Sequence, residues 1–358
     1  MIRYLFTMVL LLSSGFQVSA QVGDLQRSTP EAEGVDSNLL NRFYHELFGR
    51  SDVDIHHMMV LRHDKVISEL HASPYKAEHL HTLYSASKTV TALAVGLAVD
   101  DGLLSVDDKV SKHLRDKMPA KFSGVGEHFI YDSMCTHALA MIVTRVTGRP
   151  MLDYVRERIF APLHIVQADW ELAPDSVETA GWGLRLQAES EAKLGLLLLH
   201  GGKWNGQQLV SKQWIHDMTQ RLISTQPSEP KLPLLQRFVS FLKGLWHTVR
   251  SWFTGYNTDD YYLGYGYQTK AIQHPRAETF FAAGYGGQLI YVASSLDMVI
   301  VINGRAANYG DELNTIYYRL IEPMIGDLHP DVTPPVKLSI TPPMGSAASP
   351  IEERLANR

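Results

Sequence analysis

The chain has 358 residues, 45% of them hydrophobic, a formal net charge of −5 at pH 7 and a single cysteine, Cys135. That charge balance gives no reason to expect nucleic acid as a partner. One cysteine cannot form an intramolecular disulfide, so stability must come from a buried core, which a chain of this length can build.

Arg3, the largely apolar stretch 4–16 and the small residues Val18-Ser19-Ala20 read as a signal peptide over 1–20. This predicts a periplasmic or secreted protein; the apolar stretch is shorter than the ~20 residues that span a bilayer. Residues 36–48 have helical periodicity behind an Asp36-Ser37 cap. Residues 55–61 and 65–71 are rich in strand formers and are separated by Arg62-His63-Asp64, which predicts a hairpin. Helical patterns then dominate, over 85–100, 137–147, 151–160 and 189–200, with turns such as Thr147-Gly148-Arg149-Pro150 between them. Strand patterns return over 264–273, 278–283, 288–293 and 298–303, and a last helix is expected over 311–325. The segment 328–358 carries Pro330, Pro334, Pro335, Pro342, Pro343 and Pro350 and reads as a Pro-rich, mobile tail.

Strands at both ends with helices between them predict one antiparallel sheet built from both termini. The expected organisation is a discontinuous α/β lobe of 24–80 and 257–327, an all-α lobe of 81–256, and a cleft between them.

Within the helical lobe, 233–256 stands apart. Leu235, Phe238, Leu242, Leu245, Val249 and Trp252 recur at helical spacing, and Lys231, Arg237, Lys243 and Arg250 are its only charged residues through Tyr256. Such a cationic amphipathic insertion, over 232–254, suits a peripheral membrane contact or a lid over the cleft.

The chemistry begins at Ser85-Ala86-Ser87-Lys88, at the head of the apolar run 89–99. A serine and a lysine three residues apart share one helix face, and a buried lysine can take the proton that makes a hydroxyl nucleophilic. A helix N-terminus adds free N–H groups that favour an oxyanion. Four other Ser-x-x-Lys matches begin at Ser73, Ser190, Ser228 and Ser240, but only Ser85 opens a long apolar helix with a stop signal, Asp100-Asp101-Gly102. By itself the motif reads more readily as a helix cap with a solvated lysine. Glu127-His128-Phe129-Ile130-Tyr131-Asp132-Ser133 ends an apolar approach in a tyrosine that could relay a proton near Lys88, or simply pack in the core. Ala283-Gly284-Tyr285-Gly286-Gly287-Gln288 lies between two apolar strands. It allows close backbone approach to a ligand or forms a plain hairpin turn, and the Tyr285 N–H could join that of Ser85 in an oxyanion hole.

Together the three motifs resemble the penicillin-recognising serine hydrolases, which include class C β-lactamases, D-alanyl-D-alanine peptidases, family VIII carboxylesterases and 6-aminohexanoate-dimer hydrolase. The resemblance covers roughly residues 30–325. It extends to the turn Asp100-Asp101-Gly102-Leu103-Leu104-Ser105-Val106-Asp107, to the helix pair from Thr147-Gly148 through Ala161-Pro162-Leu163, and to the stretch from Gly195 through Trp204-Asn205-Gly206. The Gly284-Tyr285-Gly286 motif is closest in style to the amide-hydrolase and esterase branch.

The resemblance implies a β-lactamase/transpeptidase-like fold, with Ser85 as acylated nucleophile, Lys88 as base and Tyr131 as general acid/base. It further implies an oxyanion and substrate site of Ser85, Tyr285, Ser133 and Gly286, with no metal and no cofactor. The expected substrate is a small-molecule ester or amide, or a peptide. Alternatives are D-alanyl peptidase or β-lactamase activity, or an impaired family member acting as a binding module.

Three departures bear on this. Tyr131-Asp132-Ser133 replaces Tyr-x-Asn, so the substrate-amide contact falls to Ser133 or is lost. Gly284-Tyr285-Gly286 replaces Lys-Thr-Gly, removing the cation that holds a β-lactam carboxylate. The segment between Ser85 and Tyr131 is shortened to 45 residues. Rival chemistries fit less well. His79-x-His81 is followed by Leu83-Tyr84 where an Asp-His metal pair is needed, no Gly-x-Ser-x-Gly occurs, and nothing around Cys135 marks a catalytic thiol, which leaves it a structural role.

Overall fold

The computed structural model describes residues 24–51, 53–117, 131–224, 263–273, 278–306 and 328. The expected signal peptide, the insertion 232–254, the helix 311–325 and the tail beyond Leu328 lie outside the described residues.

Helix α1 (Ser37–Phe48) starts where its cap predicts, with the Asp36 carboxylate accepting the Asn38 N–H at 2.8 Å. Strands β1 (Val53–Arg62) and β2 (Lys65–His71) form the expected hairpin. Its turn residues His63 and Asp64 both take positive φ, 50° and 64°, the sign that suits the twist of a two-residue hairpin. A short β3 (His81–Thr82) and a 3-10 turn (Tyr84–Ala86) lead into α2 (Ser87–Asp100). Then come α3 (Val110–Leu114), α4 (Ser133–Thr147) and α5 (Met151–Val155), the last prolonged by a π turn over Arg156–Phe160. After β4 (Asp169–Trp170) and β5 (Leu184–Leu186) come α6 (Ala188–Leu199), β6 (Lys203–Trp204), β7 (Gln207–Gln208), α7 (Lys212–Thr219) and β8 (Ile223–Ser224). The C-terminal strands are β9 (Leu263–Tyr265), β10 (Lys270–Gln273), β11 (Glu278–Gly284), β12 (Gln288–Ala293) and β13 (Met298–Ala306).

The large sheet has the order β2-β1-β13-β12-β11-β10-β9-β8, and every neighbouring pair is antiparallel. N-terminal strands thus lie beside the last strand among the described residues, giving the expected antiparallel sheet built from both termini in a mixed α/β fold. Strand alternation sorts the core into two layers. Met58 and Val60 face α1 with Ile300 and Ile302, whereas Met59 and Leu61 face α2 and α6 with Val299 and Val301. Helix α2 is buried all round, from Ser87 to Ala98, which carries Lys88 into the interior.

Three expectations are corrected. The run 264–273 is a hairpin, β9 and β10, because Gln268 takes φ 60° and Gly266 N–H bonds Thr269 O at 2.9 Å. Helix α4 begins at Ser133 rather than 137, since Asp132 caps it through the Met134 N–H at 2.7 Å. Ser85 precedes the α-helix and sits on the 3-10 turn, because Tyr84 is held at φ 46°.

Candidate active site

Ser85 is fixed from both sides of its turn. Leu83 N–H donates to Leu184 O at 2.8 Å, and Leu184 N–H donates to Ser87 Oγ at 3.2 Å, so β5 clamps the residues flanking the nucleophile candidate. The end of β11 approaches from the other direction. A Cβ at Gly284 would meet Leu83 O at 2.0 Å, so only glycine lets β11 lie against this turn. That approach brings Tyr285 beside the turn, with the Tyr84 and Tyr285 rings 5.6 Å apart in an edge contact. The Tyr285 peptide is held by Gln288, whose Nε2 donates to Tyr285 O at 3.0 Å and to Gly304 O at 2.7 Å. Gly286 supplies φ 82° at the tip of the turn.

One turn beyond Ser85, Lys88 is buried to 1% exposure. Its Nζ donates to Ser85 Oγ at 3.1 Å, Ser133 Oγ at 2.9 Å and Gly181 O at 2.6 Å, which uses all three ammonium donors. Burial pushes its pKa down to about 8; the nearby Lys270 cation acts in the same direction and Asp132 opposes it. Lys270, on β10, is itself lowered to about 8 by burial. The ammonium therefore predominates at pH 7, and the neutral amine at mildly alkaline pH.

The sequence-predicted residues meet, with one difference in geometry. Ser85, Lys88 and Ser133 form a continuous hydrogen-bonded set. Tyr131 lies alongside, but the face of its ring, 4.8 Å from Lys88 Nζ at the centroid, meets the amine. The ring also contacts the edge of Tyr265 at 6.1 Å and is 43% exposed.

Two contributors were not among the predicted residues. Gly181 accepts the shortest of the three lysine bonds, and Lys270 sets part of the local potential. Both reach Lys88 only through tertiary structure, and neither belongs to a motif that spacing could flag. A Cβ at Gly181 would meet Ser133 O at 2.8 Å and Ser133 Cβ at 2.9 Å, so a glycine is needed where this loop crosses the start of α4. Two other Ser-x-x-Lys matches within the described residues serve structure. Ser73 sits in a turn before Pro74, and Lys193, after Ser190 on α6, pairs with Asp24. Cys135, near the start of α4, is exposed, and burial of its surroundings raises its thiol pKa above the ordinary value. His81 pairs with His56, Nε2 to Nδ1 at 2.8 Å. Among the described residues no group of three or more His, Cys, Asp or Glu side chains is arranged to hold a metal ion.

This arrangement can activate a hydroxyl: a buried, pKa-lowered amine lies within hydrogen-bond reach of a serine at a strained turn, with glycine-rich backbone beside it. Comparison with solved structures gives the same fold at low identity. A Bacillus anthracis protein assigned as a 6-aminohexanoate-dimer hydrolase is similar over 86% of this chain and 88% of its own, at 15% identity and TM-score 0.63. A penicillin-binding protein homologue from Caulobacter crescentus is similar over 86% of this chain and 100% of its own, at 16% identity and TM-score 0.60. EstCE1, a hydrolase with promiscuous acyltransferase activity, is similar over 81% and 98%, at 13% identity and TM-score 0.58. A search of curated proteins gives no match. The Beta-lactamase family model matches residues 57–124 and 117–320, which take in Ser85, Lys88, Tyr131, Ser133 and Tyr285. The chain belongs to the Beta-lactamase family.

Proposed function

We propose that the protein is an exported serine hydrolase that cleaves an ester or unstrained amide through an acyl-enzyme on Ser85. The observation that carries this reading is the bridge made by Lys88 Nζ between Ser85 Oγ and Ser133 Oγ, with the lysine pKa lowered to about 8. Neutral Lys88 takes the Ser85 proton as Oγ attacks the carbonyl carbon. The oxyanion is held by the N–H groups of Ser85 and Tyr285. The lysine proton then passes to the leaving group, directly or through the Ser133 hydroxyl, as the scissile bond breaks. A water molecule deprotonated by the same amine releases the acyl group and restores Ser85.

Gly284-Tyr285-Gly286 places no cation at the strand position that holds a β-lactam carboxylate in true β-lactamases, so the reading favours esters and simple amides over antibiotics. D-alanyl peptidase activity and a purely binding role are the alternatives. A panel of p-nitrophenyl esters, anilides, a cephalosporin and D-alanyl-D-alanine peptides separates them, with Ser85→Ala as control. Ester or anilide turnover lost by several orders of magnitude in Ser85→Ala supports the proposal. Turnover that survives the substitution, or covalent labelling of another serine by a phosphonate probe, overturns it.

A further inference from the structure

A cavity of about 400 Å³ opens beside Lys88 and Tyr131 and runs away from Ser85 between α2, α4 and α7. Its size falls within the range of small-molecule sites. Lys88, Ala92 and Val95 form one stripe along α2, and Cys135, Leu139 and Ile142 form a facing stripe along α4. The spacings of three and four residues keep each stripe on one side of its helix. Trp214 on α7 and Val106 complete the apolar wall, and Tyr265 to Gln268 in the β9–β10 turn lie on a third side.

The polar groups around this space already have partners. Asp108 bonds His113 at 3.0 Å and Lys112 at 2.7 Å. Gln268 Oε1 accepts the Thr136 hydroxyl at 3.0 Å, the Trp214 indole N–H donates to Ala92 O at 3.0 Å, and Asp132 caps α4. A ligand entering past Lys88 therefore gains burial of apolar surface along the α2 and α4 stripes, and other titratable groups of the lining, the Asp108–His113 pair, Asp132 and the Cys135 thiol, lie around that apolar path. From Lys88 to Val95 the helix advances roughly 10 Å. At roughly 1.2 Å per bond in an extended chain, that length takes roughly eight carbons.

We infer that this cavity is a binding site for an unbranched aliphatic chain of the substrate, so that the protein acts on medium-chain, lipid-like esters. The inference rests on the reading of Ser85 as the acylated nucleophile. It adds that the group attached to the scissile bond is held between the two helix stripes. The chain can belong to the acyl or to the alcohol side of the ester, and two substrate series tell them apart.

The first measurement is kcat/KM for p-nitrophenyl esters from acetate to dodecanoate and for acetate esters of alcohols of matching length. The expected result is a rise of about fourfold per added methylene in one series, levelling near eight carbons. The series that rises identifies the side that enters. Leu139→Trp, or alkylation of Cys135 with a bulky maleimide, should collapse the octanoate-to-acetate preference (or the octyl-to-methyl preference). Cys135 is the only cysteine in the chain, so the alkylation is selective and serves if the Leu139 variant does not fold.

The second measurement is independent of turnover. In the Ser85→Ala protein, sodium octanoate should slow reaction of Cys135 with a thiol reagent at least severalfold, while sodium acetate leaves it unchanged. Esters cleaved at rates independent of chain length, with Cys135 unprotected, overturn the chain site and leave the hydrolase intact. Protection of Cys135 without ester cleavage overturns the hydrolase reading and leaves the chain site. Neither cleavage nor protection overturns both.

Discussion

The Gly181 carbonyl accepts a 2.6 Å hydrogen bond from Lys88 Nζ, the shortest bond that amine makes. It is also the one bond that proton transfer does not consume, so it aims the lysine at the two serine hydroxyls. Gly181 is itself pinned, because its backbone crosses the first residue of α4. Replacing it with alanine puts a Cβ 2.8 Å from Ser133 O and 2.9 Å from Ser133 Cβ. Backbone must shift, and overpacking of this kind costs about 1–3 kcal/mol. Gly181→Ala is expected to lower stability by that amount in urea unfolding. It should also reduce kcat at least tenfold, with a smaller change in KM, since it separates Ser133 from Lys88. Unchanged kcat in a folded variant would show that the carbonyl does not position the base.

The pH dependence follows from the same lysine. Its folded-state pKa is depressed from the ordinary 10.5 to about 8, first by burial and second by Lys270. Only the neutral amine can accept the Ser85 proton, so kcat/KM is expected to rise as pH increases through about 8 and then level off. Lys88→Arg keeps the charge but cannot deprotonate, and should abolish turnover. Lys270→Met removes a neighbouring positive charge and should move the midpoint of the profile to higher pH. A profile flat between pH 6 and 9, or an active Lys88→Arg enzyme, removes Lys88 from the proton path.

How far the site was legible in the sequence can be argued residue by residue. Ser85 and Lys88 are neighbours as their spacing predicts, because residues three apart stay adjacent whether the turn between them is 3-10 or α. The glycines around Tyr285 were legible for the same local reason: close approach demands them wherever the partner lies. The motif presents Ser133 as a substrate contact and hides its bond to Lys88, because helical periodicity alone starts α4 at 137, four residues after its first residue. Gly181 lies 93 residues from Lys88 along the chain, and no local pattern links them. The β9–β10 hairpin was missed because its turn is held from outside. Gln268 accepts hydrogen bonds from Thr136 and Thr89, on two different helices, and these contacts support a backbone that the strand-forming residues around it do not announce.

Ser133 and Tyr131 now compete for the second proton-handling role. The Ser133 hydroxyl is 2.9 Å from Lys88 Nζ, while Tyr131 offers the amine its ring face. Ser133→Ala is therefore expected to reduce kcat by 10²-fold or more, in keeping with loss of a general acid/base. Tyr131→Phe keeps the ring contact and should cost less than tenfold. The comparison is made on a substrate with a poor leaving group, such as an anilide, where proton delivery matters most. A Tyr131→Phe loss larger than that of Ser133→Ala would return the relay to the tyrosine hydroxyl and make Ser133 a spacer that merely orients Lys88.

Stability has its own pH signature, located at Glu191 on α6. This carboxyl is fully buried against β13, where Asn303 Nδ2 lies 3.0 and 3.1 Å from its two oxygens. Burial raises its pKa well above the ordinary 4.5, and the Asn303 amide opposes the shift without cancelling it. The sign is fixed by proton counting. Above pH 4.5 the unfolded chain releases this proton and the folded chain retains it, so the contribution of Glu191 to stability falls as pH rises. For one proton the slope is about 1.4 kcal/mol per pH unit, until the folded-state pKa is reached. Glu191→Gln keeps the shape and removes the titration. In urea unfolding, the variant should gain on the wild type as pH increases from 5 to 8. A wild-type-minus-variant difference that stays constant across that range would mean that the folded protein holds Glu191 ionised, with a compensating partner for its charge.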